Sequence, residues 1–534
     1  MKHRSKTILM VLGVLAAARL ALLPTAATSS PSIAADSCES LRALKLPDTT
    51  IASADRVPAG AFRLPEPYFG GSYSAGLRGG QPVVALAELP AFCRVQGVIR
   101  PVADSEIGFE LWLPLANWNR KLMGVGNGGF AGYIDYQNMS SPLSRGYATV
   151  CTDTGYRRGA VQTMAFVLDH PQKLIDFGYR AVHETTMKAK LIVAAFYSQP
   201  PALSYWSGSS QGGRQALMEA QRFPSDYDGV IVGNPVSNFD HLQASHLNKR
   251  IALDKKPAGL VPPEKLTMLH EAVLQACDAL DGVKDRILED PRRCDFDPAS
   301  IECKGGNETG CLTSAQVEIV RTFYSPTVNP RTKEVIYPGL ERGEEPGWSQ
   351  GVGHMRTSRS RAPGDYLQFA LFRDPAWDYK TFDFDRDMAK ADRLDGGVVA
   401  AVSPELREFF QHGGKLLQYH GWGDESVSPR DSINYYTRVR DAYAGHGRLE
   451  DSYRLFMVPG MYHSWGGDGP NTFDPLSAME QWVEHRKAPD RMVASRWTNG
   501  KVDRTRPLCP YPQVAQYTGA GSTDVADNFI CQSR

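Results

Sequence analysis

Leu203-Ser204-Tyr205-Trp206-Ser207-Gly208-Ser209-Ser210-Gln211-Gly212-Gly213-Arg214-Gln215-Ala216-Leu217 decides how this chain is read. An apolar, strand-like run, Ala202 to Trp206, leads into Gly208-Ser209-Ser210-Gln211-Gly212-Gly213. A helix-period run leads out, with Ala216, Leu217, Ala220 and Phe223 on one face. G-x-S-x-G between a strand and a helix places the serine on a sharp, strained turn, where side chains on its neighbours would collide. The turn also sets the serine at a helix N-terminus, which favours an anionic oxygen. With 49 glycines in the chain, the setting carries more weight than the motif.

Upstream, Val95 to Arg100, Ile107 to Leu113 and Lys121 to Met123 alternate as strands, and Ala148 to Thr152 reads as a buried strand. Pro171 to Tyr197 reads as one long helical region, and Asp226 to Pro235 as the strand after the serine helix. The rhythm breaks after that and resumes at Lys415-Leu416-Leu417-Gln418-Tyr419-His420 and at Arg454-Leu455-Phe456-Met457-Val458. This alternation predicts a mostly parallel sheet with helices on both faces, an α/β-hydrolase fold with a large insertion. The predicted division is a leader over 1–35, a catalytic domain over 36–236 and 401–534, and a lid over 237–400.

The chain has 534 residues, too many for one compact core, and its composition, 42% hydrophobic and 22% charged, lies far from the disordered range. Lysine plus arginine equals aspartate plus glutamate at 59 each, so no nucleic-acid partner or anionic membrane is expected. Lys2, Arg4 and Lys6 followed by the apolar Ile8 to Ala18 read as a secretory signal peptide, with Thr25-Ala26-Ala27 or Ile33-Ala34-Ala35 as cleavage site. The protein is therefore expected to be secreted or periplasmic. Nine cysteines suit that compartment, although spacing alone does not fix their pairing. Cys151, in a strand-like run, reads as a buried free thiol.

A nucleophilic serine needs a histidine base and a carboxylate to orient it, and in this fold the chain order is serine, acid, histidine. Asp424 follows the 415–420 strand, and His463 follows the 454–458 strand. His420 and Asp468 are rivals in the wrong order: His420 precedes the acid and Asp468 follows the histidine. Gly124-Val125-Gly126-Asn127-Gly128-Gly129-Phe130 suits an oxyanion loop better than a nucleotide cradle, a tight structural turn being the plainer reading. The Gln211 N–H, one residue past the serine, is the expected second donor. In the insertion, Asp278, Asp281 and Asp285 crowd a glycine-bearing turn without EF-hand spacing. It is either a solvated acidic turn or a site for a hard cation.

Tyr205 to Pro224 resembles the nucleophile segment of the tannase and feruloyl esterase family, which includes a terephthalate-monoester hydrolase. The resemblance spans roughly residues 60–530 and is weakest near 340–365. It supports Ser210, Asp424 and His463 as the triad and Gly128 or Gly129 as an oxyanion donor. It implies a structural calcium ion held by Asp278, Asp281 and Asp285 with the carbonyls of Val283 and Ile287. It also implies the disulfides Cys38–Cys93, Cys277–Cys294, Cys303–Cys311 and Cys509–Cys531. One departure stands out. The family usually has cysteines before the serine and after the histidine, joined to each other, and here those positions are Ser209 and Ser464.

The resemblance implies a serine esterase for small aromatic esters, feruloyl or galloyl, working through an acyl-enzyme, with the lid holding the acid part. Tyr366, Phe369, Phe372, Trp377 and Tyr379 are aromatic lid residues, but such residues more often pack a core, so none is assigned to substrate. Two alternatives stand beside this reading: a catalytically silent, calcium-stabilised binding protein of the same fold, and an esterase for terephthalate-type monoesters. The sequence does not fix an oligomeric state.

Overall fold

A computed structural model describes residues 37–70, 76–78, 81–305, 309–350, 355 and 364–533, so the signal peptide expected over 1–35 lies outside the described residues. The serine turn sits at the end of an inner strand of a nine-stranded sheet. The strands are β1 Thr49–Val57, β2 Phe92–Ile99, β3 Ile107–Pro114, β4 Lys121–Val125, β5 Ala148–Thr152, β6 Leu203–Ser209, β7 Gly229–Gly233, β8 Lys415–Gly421 and β9 Tyr453–Val458. In space they run β1, β2, β3, β5, β4, β6, β7, β8, β9. The pairings from β1 to β5 are antiparallel, and those from β5 through β9 are parallel. The sheet is thus mixed, with an antiparallel flank beside the expected parallel core.

Strands β5, β7 and nearly all of β8 are buried on both faces, which is why they read as continuous apolar runs. Side chains alternate across the pleat, so Tyr205 packs one layer with Met123, Leu417 and Trp482. Its neighbour Trp206 packs the other, with Leu217, Val230 and Leu416. The first layer is completed by helices α1 Tyr136–Ser144 and α9 Pro475–His485, the second by α2 Ala181–Tyr197, α3 Gln211–Arg222 and α8 Pro429–Ala442. Each fully buried large side chain contributes roughly 1.5–3 kcal/mol.

The helix expected over 171–197 is interrupted. Pro171–Ile175 passes into a wide π turn, Asp176–Arg180, before α2 begins. Gly178 allows the Val398 carbonyl to approach, since a Cβ there would lie 2.2 Å from that oxygen. The turn also presents the carbonyls of Phe177 and Gly178 to Arg214 of α3, which donates to both and to the Val399 carbonyl at 2.8 Å each. This buried guanidinium ties the serine helix to the chain returning from the insertion.

Residues 237–400 carry helices α4 Phe239–Lys255, α5 Pro263–Cys277, α6 Ser314–Tyr324 and α7 Arg386–Asp395. A capping box, Thr313 with Gln316, starts α6. The segment has apolar clusters of its own, and Cys38–Arg534 forms one compact unit that contains it. The structure contains all four expected disulfides, and Cys151 is a buried free thiol whose ionisation burial opposes.

Candidate active site

Ser210 follows β6 with φ +60° and ψ −119°, a conformation that costs a non-glycine residue free energy and persists where its surroundings impose it. Its backbone N–H donates to the Gly233 carbonyl at 2.9 Å, and α3 starts at the next residue. Two of the motif glycines are required by close approach. A Cβ on Gly208 would lie 2.5 Å from the Gly212 backbone, and one on Gly213 would lie 2.4 Å from the Gly233 carbonyl oxygen.

Asp424 follows β8 and His463 follows β9, so all three side chains gather beyond the C-terminal ends of parallel strands. His463 Nε2 lies 2.9 Å from Ser210 Oγ, and its Nδ1 lies 2.7 Å from Asp424 Oδ2. Asp424 is fully buried and densely partnered. Its Oδ1 accepts from the amides of Ser426 and Val427, and its Oδ2 also accepts from Asn234 Nδ2 at 3.0 Å. Burial opposes the Asp424 charge, but His463 and His420 outweigh it and hold the carboxyl well below the usual carboxylate range.

The rivals fall elsewhere. His420 is buried behind the acid, with Nε2 3.2 Å from Asp424 Oδ2 and Nδ1 2.7 Å from Ser432 Oγ. Asp468 Oδ2 lies 3.1 Å from His270 Nε2. Asn234 and Glu425 escaped the sequence reading. Asn234 falls inside the Asp226-to-Pro235 strand signal and directly follows the Gly229–Gly233 strand, at the end of the sheet where Ser210 also lies. Glu425 accepts the His463 backbone N–H at 2.8 Å, and burial, with the Asp424 charge adding to it, raises its carboxyl pKa.

Gly128, Gly129 and Ser210 line one cavity of about 520 Å³. The Gly128 N–H donates to the Tyr133 hydroxyl at 2.8 Å. Gln211 is the first residue of α3, so its N–H has no intrahelical acceptor. Aromatic and apolar walls, including Tyr133, Tyr462, Trp465 and Leu476, face polar ones such as Gln137 and Asn138. Of the described residues 237–400, only Gln350 lines this cavity. Tyr366, Phe369, Phe372, Trp377 and Tyr379 instead pack together around Phe239 and Leu367.

Ser209 and Ser464 face each other, with their hydroxyl oxygens 2.5 Å apart. In the acidic turn, closed by Cys277–Cys294, the Asp278 carboxylate accepts from Arg286 N, that of Asp281 from Val283 N, and that of Asp285 from Ile287 N. Asp285 also pairs with the buried Arg506 guanidinium. Burial, with the Asp285 charge adding to it, raises the carboxyl pKa of Asp278 and Asp281. Three carboxylates and main-chain carbonyls suit a hard cation in composition. Among the described residues, side-chain ligand atoms of three His, Cys, Asp or Glu residues come within 4.8 Å of one another at two other places and not in this turn.

The family model described as tannase and feruloyl esterase matches residues 93–532. An uncharacterized esterase of Xanthomonas campestris is 39% identical, over 96% of this chain and 92% of its own length. A mono(2-hydroxyethyl) terephthalate hydrolase of Piscinibacter sakaiensis is 34% identical, over 86% and 87%. The crystal structure of feruloyl esterase B from Aspergillus oryzae superposes with a TM-score of 0.82 at 29% identity, covering 93% of this chain and 99% of that one.

Proposed function

Because this chain belongs to the tannase and feruloyl esterase family and is thereby a carboxylic ester hydrolase, we propose that it is an exported serine esterase for esters of aromatic acids, with Ser210, His463 and Asp424 as its triad. The observation that carries the proposal is His463 itself, 2.9 Å from Ser210 Oγ on one ring nitrogen and 2.7 Å from Asp424 on the other.

Ser210 Oγ attacks the ester carbonyl while His463 Nε2 takes its proton. Asp424 accepts the Nδ1 hydrogen, fixes the tautomer and stabilises the imidazolium. The tetrahedral oxyanion lies against the Gln211 N–H and a glycine N–H from 128–129; for Gly128 to serve, the Tyr133 hydroxyl must turn aside. His463 then protonates the leaving alcohol, and water, activated by the same histidine, releases the acid and regenerates Ser210.

The size of the cavity suits a small ligand, and its aromatic walls favour a planar acid such as a hydroxycinnamate or gallate. The 34% identity to a terephthalate-monoester hydrolase keeps that substrate as the second reading. Four disulfides support an exported protein. The donor set of Asp278, Asp281 and Asp285 with the Val283 and Ile287 carbonyls supports a structural calcium ion. A hydrolysis panel of methyl ferulate, methyl gallate and mono(2-hydroxyethyl) terephthalate tests the reading. One or more should turn over in wild type and none in Ser210→Ala; equal, very slow rates on all three would overturn the aromatic-acid assignment.

A further inference from the structure

Asp240 and His241 lie in the first turn of α4, and Asp392 lies on α7, which packs against it. His241 Nδ1 is 2.7 Å from the main-chain oxygen of Ile336, in the short strand Val335–Tyr337. A carbonyl only accepts, so Nδ1 carries a hydrogen, and Nε2 becomes the ring's ligand atom once an ion displaces the proton it shares with Asp392. Nε2 faces Asp392 Oδ1 at 2.8 Å. One ligand atom from each of Asp240, His241 and Asp392 lies within 4.8 Å of the other two.

The second observation is Asp240 itself. It is 3% exposed, and its Oδ1 has no hydrogen-bond partner. A buried carboxylate oxygen left unpaired costs about 1–3 kcal/mol or more, so its presence beside a preset imidazole calls for a ligand. The nearby Asp395 does not supply one, because its oxygens accept from the amides of Gly397, Val399 and Ala400. The charged groups acting on Asp240 are His241, Asp395 and Asp392, a surplus of negative charge. The other three-residue cluster, His183, Glu219 and Asp226, differs in having a cation of its own, since Lys190 Nζ bonds the Asp226 carbonyl.

We propose that Asp240, His241 and Asp392 form a binding site for a divalent transition-metal ion, zinc foremost, that staples α4 to α7. One imidazole nitrogen and two carboxylate oxygens are ligands zinc accepts, whereas calcium prefers oxygen alone. The Ile336 carbonyl is the outer-shell acceptor that orients a ligating histidine. The half-exposed Asp392 side chain gives the ion a route in, and three protein ligands leave a position for water.

The test uses the full-length protein, stripped of metal and then held in excess calcium so that only a site with different preferences responds. Zinc is titrated by calorimetry, and cobalt(II) is added separately for its visible absorption. Wild type should bind one equivalent of zinc, show the cobalt band and gain in Tm. H241Q should lose that equivalent, with a weakening beyond the roughly 10–100-fold typical of losing an outer-shell partner. D392N alters a side chain that is half in solvent, so it decides the matter if H241Q does not fold. Wild type without zinc binding would overturn the proposal in favour of a bare histidine–carboxylate pair. Binding and a cobalt band unchanged in the folded variants would overturn it equally.

Discussion

Replacing both Ser209 and Ser464 with cysteine should create a disulfide and stabilise the protein. Their hydroxyl oxygens are 2.5 Å apart, and the two residues are separated by 255 positions. Closing a loop of that length is worth about 5 kcal/mol in the chain-entropy treatment, and engineered bonds usually deliver less. The exchange also gives up a hydrogen bond of about 1 kcal/mol. A net gain of roughly 2–4 kcal/mol is expected. With an unfolding entropy of about 2.1 cal/mol/K per residue, a chain of this size gains only about 1 °C per kcal/mol, so Tm should rise by about 2–4 °C if unfolding is cooperative. The right comparison is the oxidised double variant against each single variant, because reductant also attacks the four native bonds. Thiol titration of the unfolded double variant should find Cys151 alone. Two extra free thiols after oxidation, or no gain in Tm once the bond has formed, would refute the facing geometry. Ester hydrolysis should survive, since neither hydroxyl moves the proton; its collapse would mean that the site needs the freedom the bond removes.

Asp424→Asn should lower kcat by about 10⁴-fold, because the amide cannot hold His463 in the required tautomer. The Asp424 pKa is depressed in the fold, so its stabilising contribution is present above the unfolded value near 3.9 and lost only as pH falls through the lower folded value. The stability gap between wild type and this variant should therefore stay flat from pH 7 to about pH 5 and narrow at more acid pH, as urea titrations at each pH will show. Arg214→Met leaves the carbonyls of Phe177, Gly178 and Val399 without their donor and should cost about 3–5 kcal/mol, read as a lower urea midpoint. Trp465, 54% exposed and lining the same cavity as His463, should act through binding. Trp465→Ala should raise KM for aromatic esters several-fold with little change in kcat, and an unchanged KM would remove it from the binding surface.

What the sequence made legible was local or ordered along the chain. The turn around Ser210 announces itself because glycines at 208 and 213 are forced by backbone approach. Asp424 and His463 stand out because each follows an apolar strand in the required order. What stayed hidden depends on contacts between distant segments. No pattern near Asp176 signals a π turn, and the partner that packs against it at Gly178, the Val398 carbonyl, lies 220 residues away in the sequence. The Asn234 amide meets Asp424, 190 positions away, only after the Gly229–Gly233 and Lys415–Gly421 strands pair. The strand Thr49–Val57, paired antiparallel at the sheet's edge, has the half-exposed, mixed composition that period-two reading misses. The aromatic residues of the insertion pack in and against an apolar cluster with Phe239 and Leu367, the ordinary fate of such side chains.

The central claim, an activated Ser210, is tested most directly by covalent trapping. A fluorophosphonate reacts with a serine whose proton is being drawn off and spares an ordinary hydroxyl. Peptide mass spectrometry of the labelled protein should place one adduct on Ser210, with ester hydrolysis lost in step with labelling and no adduct in Ser210→Ala. Full hydrolysis in protein labelled at Ser210, or labelling that ignores Ser210 altogether, would contradict the account.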